Sequence, residues 1–152
     1  MNEVGLEKLR KYCAYQERCH QEVRSKLLSI KIYGDELEEI ISELIKDNYL
    51  NEERFACAFA RGKFRMKMWG RNKIKQHLQI KKITSYCVRK AMEEIDEEEY
   101  IETLDLILQK QLMKYEQLKS IIARDKAIQY AISRGYETSI VYDRISIINS
   151  SN

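Results

Sequence analysis

The chain has 152 residues, 44% of them apolar and 34% charged, enough for one compact domain or several small helical modules and too apolar for a disordered chain. Proline is absent and only five glycines occur, which argues against a turn-rich all-β fold and favours long helices. No apolar run approaches the roughly 18 residues of a membrane span, and the N-terminal MNEVGLEKLRKY lacks the apolar centre of a signal peptide, so an all-α cytoplasmic protein is expected.

Taken in order, Leu6, Leu9, Tyr12 and Cys13 fall at helical spacing, and a second helix is predicted from Cys19 to Ser29 with Val23, Leu27 and Ile30 on one face. Gly34 breaks the pattern, and Asp35 with Glu38 reads as a capping box for a third helix carrying Leu37, Ile40, Ile41 and Leu44. Asn51 is a good N-cap for a long fourth helix, whose core stripe reads Phe55, Ala58, Phe59, Gly62, Met66 and Trp69, with Phe64 pointing away from the core. Gly70 ends it. A fifth helix, Asn72 to Ile80, turns Ile74 and Leu78 inward, and Thr84 caps a sixth with Val88, Ala91, Met92 and Ile95. Asp96 and Glu99 form a capping box for a seventh helix through Tyr100, Leu104, Ile107, Leu108 and Leu112; two more follow, Ile122 to Ser133 and Glu137 to Ile148, with Gly135 between them.

Val23, Leu27, Leu37, Ile40, Ile41 and Leu44 line up with Ile74, Leu78, Val88, Ala91, Met92 and Ile95 about 51 residues on, every position remaining apolar. A third alignment about 53 residues further gives Ala127, Ala131, Val141, Arg144, Ile145 and Ile148, broken at Arg144. The expected architecture is therefore about nine helices in tandem three-helix repeats: repeat 1 over 1–50, repeat 2 over 51–95, repeat 3 over 96–149, and a frayed tail over 150–152. Units this small bury little surface alone, so copies must dock into an elongated, curved array.

The net charge of +3 hides a polar charge map. From Arg61 to Lys90 the chain carries eleven Lys and Arg and no Asp or Glu, with acidic stretches on either side. Such a block repels itself, which points to a polyanionic partner. The expected nucleic-acid or filament-binding residues are Arg61, Arg65, Lys67, Arg71, Lys73, Lys75, Lys81 and Lys82. Cys13, Cys19, Cys57 and Cys87 include no CxxC pair and read as small buried or half-buried residues; a zinc site from Cys13, Cys19, His20 and His77 is disfavoured. No cofactor, metal or catalytic constellation is expected, and hence no enzyme.

The centre of the chain resembles the RecX family of regulatory proteins. Tyr49-Leu50-Asn51-Glu52-Glu53-Arg54-Phe55-Ala56 is similar to the family's (Y/L)-(L/I)-(N/D)-(D/E)-E-R-(F/Y)-A segment, and Gly70, Lys73, Ile74 and Leu78 to its G-x-x-(R/K)-I-x-x-x-L. Near the N-terminus Arg18, Glu22, Val23, Lys26 and Leu27 match as well, with Cys19 where the family commonly has a capping serine. The resemblance implies a non-enzymatic protein of bacterial DNA repair and the SOS response. Such a protein lies in the groove of the RecA filament on single-stranded DNA and modulates, mainly inhibits, its recombinase, ATPase and co-protease activities. It also implies a monomer with at most weak duplex binding and no membrane partner.

Two other readings fit the residues. One is a sequence-specific DNA-binding transcriptional regulator, with Asn72, Lys73, Gln76 and His77 reading base edges from the fifth helix. The other is a helical-repeat scaffold that binds acidic peptides.

Overall fold

The structure, a computed structural model, describes residues 1–150. Among the described residues all regular secondary structure is helical, in nine helices: α1 (Glu3–Tyr15), α2 (His20–Ser29), α3 (Gly34–Lys46), α4 (Glu52–Lys67), α5 (Arg71–Ile80), α6 (Ser85–Met92), α7 (Glu97–Lys114), α8 (Ser120–Ser133) and α9 (Thr138–Ser150). Of the expected tail, Ser150 ends α9, and residues 151–152 lie outside the described residues. The chain forms two compact units, Met1–Phe59 with Leu78–Ala91, and Ala60–His77 with the chain from Met92 onward.

In the first unit α1, α2 and α3 all touch one another, and Leu9, Val23, Leu27, Ile40 and Leu44 are fully buried between them. Each such side chain contributes about 1.5–3 kcal/mol of burial. The Asn2 side chain caps α1 by accepting from the Gly5 N–H (2.8 Å). Cys19 takes the N-cap position of α2 although it lacks a serine hydroxyl, because the Glu22 carboxylate accepts the Cys19 N–H (3.0 Å). Arg54, in the first turn of α4, clamps the turn before its own helix. Its Nε donates to Glu17 (2.6 Å), and its terminal nitrogens reach the side chain and the carbonyl of Asn48 (3.1 and 3.0 Å). Asn48 itself sits at φ 63°, a left-handed conformation that asparagine tolerates better than most residues.

In the second unit α7, α8 and α9 pack together, with Leu104, Leu108, Ala127, Ala131, Val141 and Ile145 buried. Arg144, the break in the apolar alignment, makes a two-point ion pair with Asp105 of α7 (2.9 and 2.7 Å), so a paired cation replaces the aliphatic contact.

One turn recurs at three equivalent places, and also ends α3, where Asn48 is followed by Tyr49, whose N–H donates to the Leu44 carbonyl (2.9 Å). After α2, α5 and α8 a residue with positive φ (Lys31 66°, Lys82 62°, Gly135 102°) is followed by an apolar residue whose N–H reaches back over the last helical turn. Ile32 donates to the Leu27 carbonyl (3.0 Å), Ile83 to Leu78 (3.1 Å) and Tyr136 to Ala131 (3.1 Å), and all three apolar residues are buried. This is the Schellman end, repeated at the sequence spacing of the apolar alignment.

Some expectations need correction. Phe64 does not face away from the core: it is 5% exposed and its ring centroid lies 5.8 Å from that of Tyr100. The buried stripe of α4 is Ala56, Ala60 and Phe64, spaced by four, with Phe55 beside Ala56, and Met66 is 82% exposed. Periodicity alone admitted both stripes, since a helix with apolar residues on two faces does not say which one its neighbours cover. The Asp35–Glu38 box does not form: α3 begins at Gly34 with Tyr33 as N-cap and no side-chain cap, because Gly34 enters the helix at φ 64°. Glu38 instead takes two hydrogen bonds from Arg24 (2.7 and 3.2 Å). On α7 the inward position after Leu108 is Gln111, and Leu112 is half-buried.

Candidate nucleic-acid interface

The cations of the basic block sit on α4, α5 and α6, except Lys81 and Lys82 in the turn after α5. Asn51 Oδ1 accepts the Arg54 N–H (2.9 Å) at the start of α4, and Thr84 Oγ1 the Cys87 N–H (3.3 Å) at the start of α6. Between them Gly70 carries the chain from α4 into α5. A Cβ there would lie 2.3 Å from the Gly135 carbonyl carbon, so only glycine fits. Two backbone hydrogen bonds fix this approach, from Gly70 N–H to the Arg134 carbonyl (2.8 Å) and from Asn72 N–H to the Gly135 carbonyl (2.9 Å), and Tyr136 Oη donates to the Met68 carbonyl (3.0 Å).

Six of the eight expected binding residues lie in the second unit. Arg65 and Lys67 are exposed at the end of α4, and Lys73 and Lys75 are half-buried on α5. Arg61 is paired with Glu94, both at the surface, where such a pair contributes little and can exchange for a phosphate. The Lys73 Nζ lies 4.6 Å from the Trp69 ring centroid and that of Lys63 5.0 Å, while the His77 ring packs 4.5 Å from the same indole.

Arg71 is different. Its side chain is only 16% exposed, lies with Cζ 3.8 Å from the Tyr100 ring centroid, and donates to Glu137 (2.9 Å) and to Glu97. Tyr100 Oη accepts the Arg71 backbone N–H (2.9 Å) and donates to the other oxygen of Glu137. Burial works against the Arg71 charge, yet the hydrogen bonds to Glu137 and Glu97 hold its pKa above the ordinary value. Burial would raise the Glu137 carboxyl, but the hydrogen bonds from Tyr100 and Arg71 bring it below its ordinary value; the Tyr100 phenol is pushed far up, by burial first and by Glu137 second. Arg71 is thus spent inside the fold, compensated by two carboxylates.

The remaining two residues belong to the first unit. Lys81 lies 4.0 Å from Glu22, and Lys82 is exposed at its positive φ. They line a cavity of about 350 Å³ with His20, Arg24, Ser25 and Glu52. Sequence reasoning passed over Arg24 here, because nothing local links a residue of α2 to one that follows α5. Among the described residues no group of His, Cys, Asp and Glu is placed to hold a metal, and no helix is long and apolar enough to cross a membrane.

Residues 51–92, from the cap of α4 through α6, match the family model described as RecX, second three-helix domain. The chain belongs to the RecX family. A curated RecX regulatory protein of Lactococcus lactis is 33% identical over 134 residues, covering 85% of this chain and 49% of the relative. One of Bacillus cytotoxicus is 22% identical over 130 residues, covering 86% and 48%. The chain therefore spans about half the length of the curated relatives it matches. In fold it is similar to the crystal structure of RecX from Lactobacillus salivarius, with a TM-score of 0.87, 24% identity and coverage of 95% of this chain and 94% of that one.

Proposed function

We propose that this RecX-family chain is a regulatory protein that binds the RecA filament on single-stranded DNA and modulates it, mainly by inhibiting its recombinase, ATPase and co-protease activities. It acts by binding, as a cytoplasmic monomer, and performs no chemistry of its own. The observation that carries the reading is the carboxylate-free run of cations from Arg61 to Lys90 in a family of regulatory proteins. Arg61, Arg65, Lys67, Lys73 and Lys75 of the second unit and Lys81 and Lys82 of the first are the contact residues in this proposal. Arg71 serves it indirectly, by holding the start of α5. The recurring Schellman turns support a division into three repeats over 1–50, 51–95 and 96–149.

Fluorescence anisotropy with a labelled single strand, bare and coated with RecA, tests the reading. Tighter binding to the coated strand, weakening with salt, is expected; no preference for the coated strand, or a preference for a defined over a scrambled duplex, would contradict it.

A further inference from the structure

The second unit carries a groove of about 600 Å³ lined by α7, by the end of α8 and by Met68. Its walls hold apolar side chains that the fold leaves open: Leu106 is 61% exposed and Met113 69%, with Met68 and Tyr130 also exposed. Leu106, Lys110, Met113 and Lys114 recur at spacings of four, three and one, so they share a face of α7 opposite to buried Leu104 and Leu108. Lys110, Lys114 and Arg134 edge the groove, and no Asp or Glu lines it. Gln111 supplies an amide on its lining.

We propose that this groove is the docking site for an amphipathic helix of a protein partner, one whose apolar stripe is flanked by carboxylates. The apolar lining calls for Leu-like anchors, and the two methionines can adapt to their shape. The three cations, with no acid among the lining residues, call for Asp or Glu beside those anchors. A helix is the form indicated, because the walls are themselves helices and offer no strand edge to extend; a docked helix satisfies its own backbone and presents side chains at i, i+3, i+4 and i+7. A nucleic-acid strand would leave Leu106 and Met113 without apolar contact. Met68 of the basic run forms one edge of the groove and Arg134 donates to the Lys67 carbonyl, but the anchoring face is α7, and the proposal does not depend on that run's contacting DNA.

The test uses the full chain and two labelled peptides of about 16 residues, both with Leu at i, i+3, i+4 and i+7, one flanked by Glu and one by Lys, followed by fluorescence anisotropy. The Glu-flanked peptide is expected to bind at least about tenfold more tightly than the Lys-flanked one, and to lose about tenfold or more in a Leu106→Glu/Met113→Glu variant. In Lys110→Glu/Lys114→Glu the preference should reverse toward the Lys-flanked peptide. All four positions are exposed, and circular dichroism confirms that each variant is folded. Failure of the parent to bind either peptide overturns the proposal, as does parent-like binding by the folded variants. Displacement of the peptide by a single-stranded oligonucleotide overturns it in favour of nucleic acid. Sedimentation showing a dimer that Leu106→Glu/Met113→Glu dissolves overturns it in favour of a second copy of the chain.

Discussion

The guanidinium of Arg71 lies 3.8 Å over the ring of Tyr100, and the phenol of that ring accepts the backbone N–H of Arg71 itself. One tyrosine therefore holds both the charge and the main chain of the first residue of α5, and it does so together with Glu137, whose carboxylate accepts the phenolic O–H. Tyr100→Phe keeps the packing against Phe64 and Tyr136 but leaves the Arg71 N–H and the Glu137 carboxylate each one partner short. Loss of about 1–3 kcal/mol is expected, measured by urea unfolding at neutral pH. An unchanged midpoint would mean that water replaces the phenol without cost.

The acid stability of the fold should depend on Glu137. Its carboxyl has a folded-state pKa below the unfolded value, so its contribution is complete above the ordinary carboxylate range and is lost as the pH falls through the folded value. Glu137→Gln is therefore expected to destabilise the protein at neutral pH and to flatten the decline in stability on acidification. Unfolding midpoints of parent and variant across the acid range check this, and two parallel curves would contradict it.

Two glycines of the second unit should respond to alanine with opposite signs. At Gly70 a Cβ would overlap the backbone of Gly135, so Gly70→Ala must push the α4–α5 turn away from the α8–α9 turn, at a cost of about 1–3 kcal/mol. At Gly62, within α4, an added Cβ meets nothing within 4 Å, and Gly62→Ala is expected to gain about 0.5–1 kcal/mol through the unfolded chain's lost freedom. Thermal unfolding of the two variants reads both signs.

Those effects show where the sequence was readable and where it was not. Asn51, Thr84 and Asp96 announced their helices, since a cap is a local interaction between a side chain and an N–H a few residues away. The alignment of Val23, Leu27 and their counterparts was also legible, because the aligned positions stay apolar in the first two copies and in the third at all but Arg144. Phe64 was not. Its environment is set by Tyr100, some 36 residues on, and α4 carries apolar residues on more than one face. Arg71 likewise looked like any other cation of the block, and only the fold brings Glu97 and Glu137 to it. Gln111 and Leu106 hid the open face of α7 by exchanging the polar and apolar positions that an amphipathic pattern leads one to expect.

The basic residues divide by what their loss should do. Arg65→Glu/Lys67→Glu/Lys75→Glu is expected to weaken binding to a single strand at least about tenfold with little change in unfolding temperature. Arg71→Ala should lower the unfolding temperature, since it leaves Glu97 and Glu137 facing each other without a cation. For contact with about five phosphates the parent's log affinity should fall with log salt at a slope of roughly −3.5, and each lost contact should reduce that slope by about 0.7. A triple variant with the parent's affinity and slope would remove these three residues from the contact surface.

RecA-catalysed ATP hydrolysis on single-stranded DNA, titrated with this chain at low and at moderate salt, is the decisive assay. Regulation through the basic segment predicts suppression at protein levels below that of RecA, weaker at the higher salt and relieved in Arg65→Glu/Lys67→Glu/Lys75→Glu. Unaltered hydrolysis by the cognate recombinase at every concentration of the folded chain would contradict the assignment.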